Sequence, residues 1–180
     1  MNLPKNKHVH VFDFDDTLCK TNGLVKVEDT VDDISFFLEA ADYPNWRLEY
    51  QENYSDFNNR YEMDFSDFRG YPTKGTSIDR TIMLLRTLLL SDEDLCVLVT
   101  GRDELSGPKA WLRNHNVDVD KMILMCSGDP NKRMCYESVI NTLEPREVTV
   151  YEDCFIYVEQ CEEICKKYDV SFTYQLINEN

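Results

Sequence analysis

The order of apolar segments most constrains how this 180-residue chain can fold. Short runs rich in β-forming residues recur along it, and most lack strict alternation, which favours strands buried on both faces of a parallel sheet. These runs lie at 9–14, 96–99, 122–126, 148–151 and 171–177. Segments with helical spacing lie between them. Alternating strands and helices predict an α/β fold built on a doubly wound parallel sheet.

Five segments show the apolar spacing of a helix. Two follow a start signal in which a threonine precedes an aspartate by three residues, Thr30 with Asp33 and Thr76 with Asp79. The apolar stripes are Val31, Ile34, Leu38 and Ala41; Ile78, Ile82, Leu85 and Leu89; Trp111, Leu112 and His115; Val139, Ile140 and Leu143; and Phe155, Val158, Cys161, Ile164, Cys165 and Tyr168. At 42% hydrophobic residues, the chain fits one domain over 1–180.

Polar groups follow four of the predicted strands. In a doubly wound sheet the carboxyl ends of the strands meet at one crevice, so we expect these groups to converge. Carboxylates gathered in this way, with no histidine or cysteine group at ligand spacing nearby, favour a hard ion such as Mg²⁺, which also supplies the missing counter-charge. The groups are Asp13, Asp15 and Asp16; Thr100, Gly101 and Arg102; Lys132 and Arg133; and Glu152 and Asp153.

The same motifs, in this order, resemble those of the haloacid dehalogenase superfamily of phosphohydrolases: D-x-D-x-T at 13–17, T-G-R at 100–102, the lysine at 132 and E-D at 152–153. The resemblance covers nearly the whole chain except about 20–75. Within the superfamily, "GDPNK" and "CFIYVEQC" are similar to segments of the 3′-phosphatase domain of polynucleotide kinase and of the related Swiss Army knife RNA-repair-like group. The resemblance to the superfamily implies a Rossmannoid phosphatase with a small, cap-like helical insertion at 20–75.

The resemblance also implies catalytic roles. Asp13 is expected to attack phosphorus and form an aspartyl-phosphate, which divides one difficult displacement into two easier ones. Asp15 is expected to protonate the leaving alkoxide and then to deprotonate the attacking water. Thr100 is expected to donate a hydrogen bond to a phosphoryl oxygen, while Lys132 neutralises the charge of Asp13 and of the phosphoryl group.

The metal ligands implied by the resemblance are the carboxylates of Asp13 and Asp153 and the main-chain carbonyl of Asp15. Glu152 is expected to complete the metal site as an outer partner. These oxygen donors again favour Mg²⁺.

Other motif residues are expected on the substrate side. Arg102 has a planar fork suited to a phosphate or a base edge, and Thr17 and Gly101 are expected beside the bound phosphoryl group. Lys109 and Lys121 compete with Lys132 for the role of the third motif, although the spacing before Asp153 favours Lys132.

The segment 20–75 carries an aromatic stripe with spacings of four, four, three and four residues: Trp46, Tyr50, Tyr54, Phe57 and Tyr61. The spacing predicts one aromatic face of a helix, followed by a loop or short hairpin at 63–75. Most such stripes are packed in a core. The functional alternative is a cap over the crevice, in which rings stack on a nucleobase.

Composition limits the partners. A net charge of −15 argues against broad nucleic-acid binding, so the expected partner is a phosphorylated substrate. Seven cysteines, an odd number, fit a reducing cytosol or nucleus, and no run approaches the ~20 apolar residues of a membrane span. The predicted function is phosphomonoester hydrolysis on a nucleic-acid end, nucleotide or small metabolite. The alternative is a catalytically silent, protein-binding relative, which has no need of the complete motif set.

Overall fold

A computed structural model describes residues 5–53, 57–128 and 131–177. Its strands are β1 (His8–Phe12), β2 (Cys19–Lys20), β3 (Leu24–Asp29), β4 (Ile34–Glu39), β5 (Tyr61–Asp64), β6 (Thr76–Ser77), β7 (Asp94–Thr100), β8 (Ile123–Cys126), β9 (Glu147–Glu152) and β10 (Ser171–Leu176). Five of them form a parallel sheet in the order β10-β9-β1-β7-β8. The prediction of five strands in a parallel sheet is confirmed, but not their complete burial: β10, at one edge, is largely exposed and β8, at the other, is partly buried.

Four helices flank this sheet, α3 and α4 on one face and α5 and α6 on the other. The six helices of the described residues are α1 (Tyr43–Asn53), α2 (Phe57–Arg60), α3 (Asp79–Leu88), α4 (Ser106–Asn114), α5 (Arg133–Leu143) and α6 (Phe155–Lys167). One hydrophobic cluster packs Val11 of β1 with residues of α5 and α6, whereas Phe12, which points to the other face, packs with residues of α3 and α4. The last four predicted helical stripes therefore mark the core-facing sides of α3 to α6, except that Phe155, the first residue of the α6 stripe, is 48% exposed.

The helix predicted from Val31, Ile34, Leu38 and Ala41 is wrong. The segment forms an antiparallel hairpin of β3 and β4, whose turn is closed by the Asp29 carboxylate, which accepts hydrogen bonds from the N–H groups of Val31 and Asp32. Val31 and Ile34 are 63% and 57% exposed. The helical spacing of these apolar residues therefore does not correspond to a buried helix face.

Neither threonine start signal begins a helix. Thr30 belongs to the turn of the hairpin, where its hydroxyl donates a hydrogen bond to the Arg60 carbonyl. Thr76 lies in β6, and α3 begins at Asp79 without a side-chain cap from the preceding residue. Threonine hydroxyls also form hydrogen bonds to the backbone in turns. Thr30 and Thr76 accordingly lie in a turn and in a strand, and neither occupies the N-cap of a helix.

The insertion is not mainly helical. It contains a three-stranded antiparallel sheet, β4-β3-β5, together with α1 and α2, and pairing of β2 with β6 brings its two ends together. Trp46 packs against Tyr50 and Tyr61, with ring centroids 5.0 and 5.2 Å apart. Tyr61 lies on β5 instead of a continuous helical face, and Tyr54 lies outside the described residues. These aromatic rings belong to the insertion's own core.

No helix within the described ranges has both the length and the apolar character needed to cross a lipid bilayer.

Candidate active site

The loop after β1 turns Asp13 and Asp15 out at the carboxyl end of the sheet. The Asp13 N–H still donates to the Tyr151 carbonyl of the neighbouring β9, at 3.1 Å. Beyond it the chain turns sharply, because Asp16 adopts a left-handed conformation with φ 55°, and the N–H of Cys19 returns to the Phe14 carbonyl at 2.9 Å. The polar loop therefore begins where the sheet's hydrogen bonding ends.

Asp13, Glu152 and Asp153 converge at the ends of two neighbouring strands. One carboxylate oxygen of each lies within 4.8 Å of the others. Lys132, which precedes α5, donates from Nζ to Asp13 Oδ1 at 2.6 Å and also to Glu152. The three carboxyl groups and Lys132 thus form one buried cluster.

Lys132 is held firmly in this position. Its residue is 2% exposed, its N–H donates to Gln160 Oε1 at 3.0 Å, and its ammonium lies 4.3 Å from the ring centroid of Tyr157. Lys121, an expected competitor, is exposed and pairs with Asp118. Of these two lysines, Lys132 is the one that contacts the acidic cluster.

The electrostatics of the cluster favour one more cation. Burial raises the pKa of Asp13 and of Glu152, although Lys132 opposes both shifts. Burial, reinforced by Asp13, raises the pKa of Asp153 to about 7. Burial lowers the pKa of Lys132, but Asp13 and Glu152 outweigh it, so the ammonium stays charged. One lysine thus faces three carboxyl groups, and an all-oxygen donor set of this kind fits Mg²⁺.

Arg102 joins the strand ends to the insertion. It donates two bonds to the Asp15 carboxylate, from Nε at 2.9 Å and from Nη2 at 2.7 Å. Its Nη1 donates to the main-chain carbonyls of Phe68 and Gly70, at 2.6 and 3.2 Å. With a side chain only 2% exposed, Arg102 is engaged by the protein itself, instead of extending freely towards a substrate.

The smaller residues of the motifs take different places. Thr100 is fully buried, and its hydroxyl accepts the Arg102 N–H at 3.3 Å, which leaves its own hydrogen to donate. Thr17 directs its hydroxyl to Asp153 Oδ1, at 3.5 Å, so it lies on the carboxylate side of the site. Gly101 lines the cavity above the strand ends.

That cavity has a volume of about 270 Å³ and two chemically different walls. Charged groups of the strand ends form one wall: Asp13, Asp15, Arg102, Lys132 and Asp153. Mostly apolar side chains of the insertion form the other: Val25, Ala40, Tyr43, Phe65, Phe68 and Arg69. The insertion therefore forms one wall of the crevice.

The residues that form this apolar wall were not predicted from the sequence. The predicted aromatic stripe, which includes Tyr50 and Tyr61, packs inside the insertion instead. Phe65 and Phe68 line the cavity, although they belong to a segment predicted only as a loop or hairpin. No strand or α-helical period marked them, because Phe65 lies in the connection after β5 and Phe68 ends a single 3₁₀ turn, Ser66–Phe68.

No protein-family model, no curated protein and no solved structure matches this chain. The described residues bring together the acidic pair, the lysine and the first aspartate of the motifs, and Asp15 and Arg102 line the same cavity.

Proposed function

We propose that this chain is a Mg²⁺-dependent phosphomonoesterase of the haloacid dehalogenase type, which acts through an aspartyl-phosphate on Asp13. One observation carries the proposal: at the cavity floor, the Asp13 carboxylate lies 2.6 Å from the Lys132 ammonium and shares its surroundings with Asp153 and Glu152. The central position of β1 in the order β10-β9-β1-β7-β8 supports a doubly wound sheet of that type.

In this proposal Asp13, Asp153 and the main-chain carbonyl of Asp15 hold Mg²⁺. The ion would neutralise phosphoryl oxygens and orient the phosphoryl group. Glu152 stands behind them, because its carboxylate is engaged by Lys132 and by the Cys154 N–H, at 3.4 Å. It keeps Lys132 in place beside Asp13.

The reaction then needs two displacements. A carboxylate oxygen of Asp13 bonds to phosphorus while the bond from phosphorus to the substrate oxygen breaks, and Asp15 gives its proton to that leaving oxygen. Water next attacks phosphorus, Asp15 takes a proton from it, and the bond between Asp13 and phosphorus breaks to release phosphate. Lys132 stabilises the negative charge of the phosphoryl oxygens in both steps.

Asp15 can take part only if it exchanges partners. Its carboxylate accepts two bonds from Arg102, and the acid step requires a bond to the leaving oxygen in the cavity instead. We therefore assign Arg102 a positioning role: it holds Asp15 at the cavity wall and links it to the main chain of the insertion.

The cavity limits the substrate. About 270 Å³ accommodates a phosphoryl group with a small body, and the aromatic rings of Tyr43, Phe65 and Phe68 suit an apolar or planar body such as a nucleobase. A nucleotide, a nucleic-acid end inserted by its terminus or a small phosphorylated metabolite meets these requirements.

The direct test is a phosphatase screen over nucleotides, sugar phosphates and 3′- and 5′-phosphorylated oligonucleotides, with Mg²⁺ and with chelator. Turnover should require Mg²⁺ and should be lost in Asp13→Asn, whereas Asp118→Asn, a change at an exposed carboxylate, should keep it. Acid-quenched parent protein should carry phosphoryl mass on the peptide that contains Asp13. Turnover of Asp13→Asn within a few-fold of the parent would refute the aspartyl-phosphate proposal.

A catalytically silent binding module is the second candidate. It is favoured by the exposed apolar side chains of the β3–β4 hairpin, Val31, Ile34 and Phe37, which are 57–63% exposed. A screen without turnover, in protein shown to be folded and to bind Mg²⁺, would favour it over the enzyme.

We place either function in a reducing compartment, the cytosol or the nucleus. All seven cysteines are free, and six of them are buried, as expected for a chain that does not rely on disulfides.

A further inference from the structure

A second group of histidine and carboxylate side chains lies at the end of the sheet opposite the cavity, where the central strands begin. His8 and His10 are two residues apart on β1, so their side chains share one face. The strand register places Asp94 of β7 and Glu147 of β9 directly beside His8, one on each side. Three adjacent strands thus contribute two imidazoles and two carboxylates to one place.

The donor atoms face one another at distances suited to a metal. His10 Nε2 lies 3.2 Å from Asp94 Oδ1, and His8 Nδ1 lies 3.9 Å from the same oxygen. Glu147 Oε2 lies 4.0 Å from His8 Nδ1. In a tetrahedral zinc site with bonds of about 2.0–2.1 Å, neighbouring donors are about 3.3–3.4 Å apart. The donor atoms of His8, His10 and Asp94 all lie within 4.8 Å of one another, so small side-chain movements suffice for these three to surround an ion, whereas Glu147 approaches only His8 and has to rotate further to join them.

Each of the three inner ligands has an outer hydrogen-bond partner. The other nitrogen of His10, Nδ1, lies 3.1 Å from the Tyr151 hydroxyl, and the other nitrogen of His8, Nε2, lies 2.7 Å from the Thr149 hydroxyl. Asp94 accepts a hydrogen bond from Ser91. Such partners fix the rings and leave the inward nitrogens to a metal, as is usual for ligating histidines.

A simple ion pair accounts for less of this geometry. One imidazole beside Asp94 would satisfy that carboxylate, yet the rings of His8 and His10 lie 4.0 Å apart next to the same oxygen. Two rings aimed at one carboxylate, each with its outer nitrogen engaged, match a ligand set more closely than a pair of charges.

We propose that His8, His10 and Asp94, with Glu147 as a fourth ligand, bind a transition-metal ion of the Zn²⁺ type. Imidazole donors favour Zn²⁺ over the hard ion Mg²⁺. Four protein ligands make a closed, structural site. The ion would clamp β7, β1 and β9 together at the edge opposite the cavity, and its binding does not depend on the proposed phosphatase activity.

The test is a titration of the full chain with Zn²⁺, in excess Mg²⁺ so that the acidic cluster at Asp13 is occupied. The parent should bind one ion and gain thermal stability. The Zn²⁺ affinity should fall by more than about 100-fold in His10→Gln and in Asp94→Asn, and the gain in thermal stability should shrink with it. In Tyr151→Phe, which removes only an outer partner, the affinity should fall by about 10–100-fold. His115→Gln, a change of a histidine on α4's C-terminal side, is the matched control and should bind as the parent does.

Cobalt distinguishes this site from the cysteines. Co²⁺ bound to imidazole and carboxylate should show its tetrahedral absorption without sulfur-to-metal charge transfer, and Cys96→Ala, a change beside His10 in the register, should leave the spectrum unchanged. If His10→Gln is unstable, His8→Gln, at a side chain 20% exposed, provides the same comparison. Equal Zn²⁺ affinity in the parent and the histidine variants, or thiolate charge transfer lost in Cys96→Ala, would overturn the proposal.

Discussion

Replacing Lys132 by methionine should strongly destabilise this protein. Its ammonium, with a side chain 3% exposed, is bonded to Asp13 at 2.6 Å and to Glu152. Methionine fills similar space but leaves buried carboxylates without their cation, and removing one partner of a buried ion pair costs about 3–5 kcal/mol. For a chain of roughly this size, that loss lowers Tm by roughly 6–20 °C.

Urea denaturation at neutral pH, in chelator and in Mg²⁺, measures the effect. If Mg²⁺ binds at Asp13 and Asp153, it should stabilise Lys132→Met by more than it stabilises the parent, because the variant's site is more negative. A concentration of 100 times the dissociation constant contributes about 2.7 kcal/mol in a one-site protein. The free energy of unfolding in the two conditions therefore reports both the ion pair and the metal site.

Two further variants isolate the cause. Lys121→Met removes an exposed lysine, 57% exposed, whose partner Asp118 lies 3.9 Å away, and its free energy of unfolding should stay within about 0.5 kcal/mol of the parent. Adding Glu152→Gln to Lys132→Met removes one uncompensated charge and should recover part of the loss. If Lys132→Met lies within about 1 kcal/mol of the parent in chelator, the reasoning from a buried charge cluster is wrong.

Three other predictions follow from the site. Mg²⁺ affinity should fall about tenfold per pH unit below about 7, because the Asp153 carboxyl, whose pKa is about 7 without metal, must lose its proton to bind. Calorimetry in two buffers should detect the released proton, and an affinity independent of pH between roughly 6 and 8 would contradict this prediction. Gly107→Ala should destabilise the protein by about 1–3 kcal/mol and alter the substrate ranking, since the alanine Cβ would lie 1.8 Å from the Gly70 carbonyl oxygen that Arg102 binds. Chemical denaturation measures the loss of stability, and Ala110→Ser, a change at an exposed position of the same helix, should be neutral. Asp15→Asn should lose alkyl phosphatase activity but still phosphorylate Asp13 from aryl phosphates, whose leaving groups need less acid help; equal losses on both substrates would give Asp15 another role.

The sequence by itself determined the sheet and the location of the site. Runs such as 96–99 lack polar alternation because parallel strands are covered on both faces, and this property is local enough to read from the chain. The position of Asp13 and Asp153 after strands then follows from topology, because the carboxyl ends of parallel strands share one edge.

Local spacing was an unreliable guide inside the insertion. Val31 and Ile34 have helical spacing but belong to an exposed hairpin, since the Asp29 turn and the pairing of β3 with both β4 and β5 outweigh helix propensity. Tyr61 continued an aromatic period across a boundary where the chain changes from α2 to β5.

Only the tertiary structure decided which distant side chains meet. Arg102 and Asp15 are 87 residues apart in sequence yet form a two-bond ion pair, so an arginine expected to contact substrate instead supports the cavity wall. His10 and Asp94, separated by 84 residues, meet because β1 and β7 pair in one register, and a shift of that register would separate them. Spacing along the chain encodes the elements, whereas contacts between elements depend on strand order and register, which are fixed only when the whole core packs.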